Sequence, residues 1–206
     1  DLEKQDQNYW RIYGVGEWGK LENVIYNNWK VTNEHLRDGD VIYGLDFGYN
    51  AASALVKVII QPDENKCSIE QKLYQTRLTN SDLIDEMMKV IPLNQRNRCP
   101  IYADNAEGDR IKEINDAGFW CKPCYKTHVK EGIDEVKQFE LLIVDGSQDL
   151  LKEIKSYSWK KDKNDNVIDE PIAFNDHALS AMRYAIHTHM MGENAGMPRI
   201  RVLDDY

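Results

Sequence analysis

Apolar and polar positions follow two different periods along this chain. Val41 to Leu45 is a run of β-branched, aromatic and aliphatic residues around one Gly, the make-up of a buried strand. Asp46 ends it, and Gly48 lets the backbone turn. Ala54 to Ile60 resumes a strand, Pro62 to Lys66 makes a turn, and Ser68 to Gln75 alternates through Ile69 and Leu73 as a third strand. Connections this short predict three successive antiparallel strands. The period then changes. Asn80-Ser81-Asp82 opens a helix whose Leu83, Ile84, Met87, Met88 and Ile91 recur at helical spacing, and Pro92 ends it. A short strand is expected at 100–104, a helix from 106 to about 117 with Gly118 as its stop, and a strand at 119–124. A helix from about 129 to 141 follows, then Leu142 to Asp145, then a helix from about 147 to 154. The arms 156–161 and 167–171, around the polar tip 162–166, form a hairpin.

Asn175-Asp176 caps a strong final helix, from His177 to about His189. Its apolar face is Ala178, Leu179, Met182, Ala185 and Ile186, and Asp176, Ser180, Arg183 and His187 fall on the other face. His187 and His189 point to different faces and read as solvated. Upstream of the core, Tyr9 to Val31 carries Trp10, Tyr13, Trp18, Tyr26 and Trp29 between glycines, which predicts a hairpin of short strands covering the core. The expected division is a lead-in at 1–37, a domain at 38–190 and a flexible tail at 191–206. The chain opens on Asp1 without Met and reads as a fragment of something longer.

A length of 206 residues at 42% hydrophobic content supports one core. Cys121-Lys122-Pro123-Cys124 has redox-motif spacing, but its flanks read as a strand running through, and no second pair completes a zinc site. Structural cysteines in a reducing cytoplasm are therefore expected. No apolar run reaches the length of a membrane span, and no signal peptide is visible. A net charge of −9 argues against a simple nucleic-acid binder. It leaves room for a nuclease, which needs an acidic centre and only a local basic patch.

Three acids occupy comparable places: Asp46 ends the first strand, Asp104 ends a later strand, and Asp176 opens the last helix. Each alone also reads as a turn or cap residue, and Asp104 with Glu107 has the spacing of a capping box. The order of elements is that of an α/β, RNase H-like fold: a central mixed sheet of three antiparallel strands followed by strand–helix alternation, with helices on both faces and an added β-hairpin. In that layout, acids from central strands and a late helix converge. Hard oxygen donors suit Mg²⁺ or Mn²⁺, and two such ions can activate water and stabilise the leaving oxygen of a phosphodiester.

The sets Gly44-Leu45-Asp46-Phe47-Gly48, Tyr102-Ala103-Asp104-Asn105-Ala106-Glu107 and Asn175-Asp176-His177-Ala178-Leu179-Ser180 together resemble the nuclease domain of tailed-phage terminase large subunits. The resemblance runs from about Trp10 to His187. It includes Gly16-Glu17-Trp18, Gly132-Ile133 and the segment Tyr157 to Asp162. It implies that Asp46, Asp104 and Asp176 are the catalytic ligands of Mg²⁺ or Mn²⁺, with two ions. It further implies cleavage of double-stranded DNA with little sequence specificity during genome packaging. The implied partners are an N-terminal ATPase domain, a small terminase subunit and a portal, and the implied setting is the cytoplasm of the bacterial host.

The chain departs from the pattern at Ser180, where many relatives carry a second acid, and it contains no Gly-x-x-x-x-Gly-Lys-Ser/Thr loop. Lys160, Lys161 and Lys163 concentrate positive charge next to the third acid, so the hairpin is expected to touch the DNA backbone. Two alternatives stay open: a nucleotide-binding fragment of the actin-like or sugar-kinase type, and a docking module without activity.

Overall fold

In the computed structural model, which describes residues 23–172 and 175–194, the first strand is β1 (Trp29–Thr32). Then come β2 (Asp40–Asp46), β3 (Ser53–Gln61) and β4 (Lys66–Gln75), followed by alternation: α1 (Asn80–Val90), β5 (Ile101–Ala103), α2 (Gly108–Asp116), β6 (Cys121–Pro123), α3 (Val129–Val136), β7 (Glu140–Val144) and α4 (Gln148–Ser156). The hairpin is β8 (Trp159–Lys161) and β9 (Val167–Pro171), and α5 (His177–Asn194) closes the chain. The expected aromatic hairpin up to residue 22, including Gly16-Glu17-Trp18, and the tail from 195 lie outside the described residues.

Among the described residues, seven strands form one mixed sheet in the order β1-β7-β4-β3-β2-β5-β6. The pairs β2–β3 and β3–β4 are antiparallel, and β2–β5, β5–β6, β4–β7 and β1–β7 are parallel. Strand alternation sorts the side chains into two cores. On one face Ile42, Val56, Val58 and Ile60 pack with Ile133 of α3, Ile154 of α4 and Met182 of α5. On the other, Val41, Tyr43, Leu45 and Leu55 pack with Met87 of α1 and Ile114 of α2. Both faces are covered, so every residue of β2 is buried. Each buried aliphatic side chain there contributes about 1.5–3 kcal/mol.

Three local expectations are corrected. The helix from 129 ends at Val136, because Glu140–Val144 is a strand held on both sides, by β4 and by β1. Its alternating burial at Leu141 and Ile143 is the strand signature. The capping box between Asp104 and Glu107 does not form, since Glu107 is itself the N-cap residue of α2 and its side chain makes no capping bond. His187 and His189 are not solvated. The helix α5 continues to Asn194 between the sheet and α3, so both sides of its later turns are covered. His187 is 3% exposed, against the Tyr125 ring, and His189 Nε2 lies 3.2 Å from Asp40 Oδ2.

Of the expected lead-in, the described residues from 23 on pack on the core. Ile25 and Tyr26 are buried in the first core, Tyr26 stacks on Tyr157, and β1 forms the sheet edge. Among the described residues, no helix is long and apolar enough to cross a membrane.

Candidate metal centre

The C-terminal ends of β2 and β5 are neighbours in the sheet, and α5 crosses β2 on one face. The crossing is close because residue 44 is Gly: a Cβ there would lie 1.9 Å from the Ala181 carbonyl oxygen. This contact brings the first turn of α5 to the end of β2. Asp46 is therefore the last residue of β2, Asp104 follows β5, and Asp176 immediately precedes α5.

Asp46 lies within reach of the charges of the other two acids. Burial holds Asp46 above the ordinary carboxylate range, its bond to His177 opposes this, and the charges of Asp176 and Asp104 push the same way as burial. Asp176 is also raised by burial, against the pull of His177 and Arg183. The Asp104 side chain accepts from the Ala106 N–H at 3.1 Å, a turn contact that occupies one oxygen. His177 Nδ1 lies 3.0 Å from Asp46 Oδ2, and that bond raises the imidazole's affinity for a proton although burial lowers it. The sequence pattern alone gives His177 no role; its place directly after Asp176 is the available signal.

Ser180, at the position of the missing acid, is contacted by Arg183 through Nη2 at 3.4 Å. Arg183 has room because residue 132 of α3 is Gly: a Cβ there would lie 2.8 Å from its Cγ. Burial pushes Cys121 up to about 12 and raises Cys124 as well. Asp145, the acid that follows β7, accepts the Gly146 N–H three strands from β2 in the sheet order.

Among the described residues, no group of three or more His, Cys, Asp or Glu side chains is drawn together tightly enough to grip an ion. The donor set itself fits a hard divalent ion: carboxylate oxygens from two adjacent strand ends and one helix start, with burial that penalises their uncompensated charge.

Beside this centre a cleft of about 630 Å³ is lined by Asn50, Tyr74, Asp149, Lys152, Glu153 and His177, among others. Glu153 of α4 is 4% exposed, and burial pushes its carboxyl up to about 7. Nothing in the local sequence marks Glu153, because its position depends on the packing of α4 against α5.

The hairpin lysines stand apart from the main sheet. Lys160 pairs with Glu170 across the hairpin at 2.9 Å, Lys161 is exposed at the end of β8, and Lys163 is exposed at the tip. The hairpin is tied to the body by Trp159 N to Asn23 O and by a Lys130–Asp169 ion pair.

The model of one family, described as the terminase RNase H-like domain, matches residues 46–188. The PBSX phage terminase large subunit of Bacillus subtilis strain 168 is 25% identical over 154 residues, which cover 73% of this chain and 35% of that protein. The chain thus spans about a third of the length of this curated relative. The nuclease domain of the large terminase g2p from bacteriophage SPP1, solved with bound Mn, superposes with a TM-score of 0.68 at 20% identity, covering 82% of this chain and 100% of that one. The large terminase of the thermophilic bacteriophage D6E gives 0.67 at 20% identity, covering 89% of this chain and 52% of that one.

Proposed function

Because the chain belongs to the family of terminase RNase H-like domains, we propose that it is the nuclease part of a phage packaging terminase, a metal-dependent endonuclease on double-stranded DNA with little sequence preference. What supports this reading is that Asp104 and Asp176, from separate elements, lie near enough to Asp46 for their charges to act on it. The bound Mn in the SPP1 nuclease domain supports a divalent ion for this chain as well.

Asp46, Asp104 and Asp176 would hold Mg²⁺ or Mn²⁺, two ions in all. Bound there, the ions would supply an activated water at neutral pH and would stabilise the leaving oxygen of the phosphodiester. The protein's own part is placement. Strand pairing fixes Asp46 and Asp104, and the helix start fixes Asp176. His177 holds one oxygen of Asp46 and leaves the other for a cation. Lys160, Lys161 and Lys163 would contact the DNA backbone and strengthen binding without reading sequence. We further assign the chain an N-terminal ATPase domain, a small terminase subunit and a portal as partners, with action in the cytoplasm of the bacterial host.

The test is plasmid cleavage. Supercoiled DNA incubated with the protein and Mn²⁺ or Mg²⁺ should be nicked and linearised, and chelator should stop the reaction. Asp46→Asn, Asp104→Asn and Asp176→Asn should each remove nearly all cleavage while remaining folded. Intact plasmid at high protein and Mn²⁺ across neutral to alkaline pH would refute the assignment, and so would an active Asp176→Asn.

A further inference from the structure

The helix that carries Asp176 does not use Asp176 as its side-chain cap. An ordinary N-cap residue starts a helix with its carbonyl and offers its side chain to the N–H of the second or third helical residue. Asp176 does the first: its carbonyl accepts the Ser180 N–H at 2.7 Å. The third N–H, that of Leu179, is taken instead by Glu153 Oε2 at 3.0 Å, a buried bond from a different helix.

The neighbouring helix is capped in the same borrowed way. Ser147 makes no side-chain capping bond at the start of α4; its hydroxyl accepts the Gln71 N–H at 3.0 Å. Gln71 of β4 reaches over, and its Oε1 accepts the N–H groups of Asp149 and Leu150 at 3.0 and 2.9 Å, while its Nε2 donates to Asp149 Oδ2 at 3.0 Å. A continuous hydrogen-bonded path therefore runs from the sheet through Gln71 to α4, and through Glu153 to the first turn of α5. There His177 returns it to the sheet at Asp46.

We propose that Glu153 is a positioning residue for the metal centre: by capping α5 from outside, it leaves the Asp176 carboxylate for a divalent cation. This rests on the nuclease reading. Without the Glu153 acceptor, the Leu179 N–H is a buried orphan, and the nearest group able to satisfy it is the Asp176 side chain. Asp176 then becomes a conventional cap and is withdrawn from the ion. What matters is an oxygen at this place rather than its charge, so Gln serves and Leu does not. The other carboxyl oxygen, Oε1, is buried without a well-formed hydrogen bond, with the Tyr74 hydroxyl alongside.

The experiment has a metal-free arm and a metal arm. In chelator, Tm is measured for a double-mutant cycle of Glu153→Leu and Asp176→Ala. Asp176→Ala should leave Tm unchanged or raised in the wild-type background, and lower it by about 2–4 °C in the Glu153→Leu background, the loss of one cap. In the metal arm, the Mn²⁺ concentration that gives half-maximal thermal stabilisation should rise about 10–100-fold in Glu153→Leu. It should stay within about threefold of wild type in Glu153→Gln, whose oxygen still accepts the Leu179 N–H. Additive Tm changes in the cycle would overturn the proposal. Wild-type Mn²⁺ response in Glu153→Leu, or loss of that response in Glu153→Gln, would overturn it too, and the Gln arm decides the matter should the Leu variant not fold. If wild type neither cuts DNA nor responds to Mn²⁺, the nuclease reading has failed, and the chelator cycle still judges the cap.

Discussion

Glu153 shows how burial and hydrogen bonding divide a single carboxyl's behaviour. Its folded-state affinity for protons lies at about 7, above the ordinary carboxylate value, chiefly because of burial. For a group shifted upward, the associated stability is fully present below the unfolded value and is lost as pH rises through the folded one. The window here runs from about 4.5 to about 7. Glu153→Gln keeps the acceptor for Leu179 and cannot ionise. In metal-free buffer it should therefore raise Tm relative to wild type at pH 8, and by clearly less at pH 5. Calorimetry at the two pH values decides this, and an equal Tm difference at both would show that the carboxyl is not strained by ionisation. The places of Asp46 and Asp104 at strand ends and of Asp176 at a helix start were legible, because an acid that ends an apolar run or precedes a helical period is conspicuous in sequence. Glu153 was not, since an acid on an amphipathic helix looks solvated until the neighbouring helix is placed.

Among elements, the approach of α5 to β2 makes the centre possible. The distance of 1.9 Å between a Cβ at position 44 and the Ala181 carbonyl leaves no room for any side chain. Gly44→Ala should force α5 off the strand, cost about 1–3 kcal/mol as an overpacked contact, and reduce the Mn²⁺-dependent rise in Tm more than a distant mutation of equal cost. A variant with unchanged Tm and Mn²⁺ response would show that the helix tolerates displacement.

The hairpin makes a separate prediction. Replacing Lys160, Lys161 and Lys163 together by Ala should weaken DNA binding and flatten its salt dependence, by about 0.9 in log–log slope for each phosphate that is no longer neutralised. Lys160 already has a partner in Glu170, so it should contribute less than Lys163 at the exposed tip. Fluorescence anisotropy across a salt series measures this, and an unchanged slope would take the hairpin off the DNA track. Element types and order were legible from the switch between periods of 2 and 3.6. The end of α3 was not, because Phe139 to Leu141 continues an apolar pattern whose strand character comes from pairing with β4 and β1.

At the scale of the molecule, the proposed substrate sets a chain of net charge −9 against a polyanion. Cations held by clustered carboxylates would invert the local field where the phosphodiester sits, whatever the charge elsewhere. Burial first, and then the neighbouring acids Asp176 and Asp104, hold Asp46 above the ordinary carboxylate range. The most direct test of this account is anomalous diffraction from crystals of the protein soaked in Mn²⁺. The predicted result is one or two peaks within about 2.5 Å of oxygens from all three of Asp46, Asp104 and Asp176. Peaks only elsewhere on the surface, or a site that leaves out Asp104 or Asp176 at saturating Mn²⁺, would contradict it.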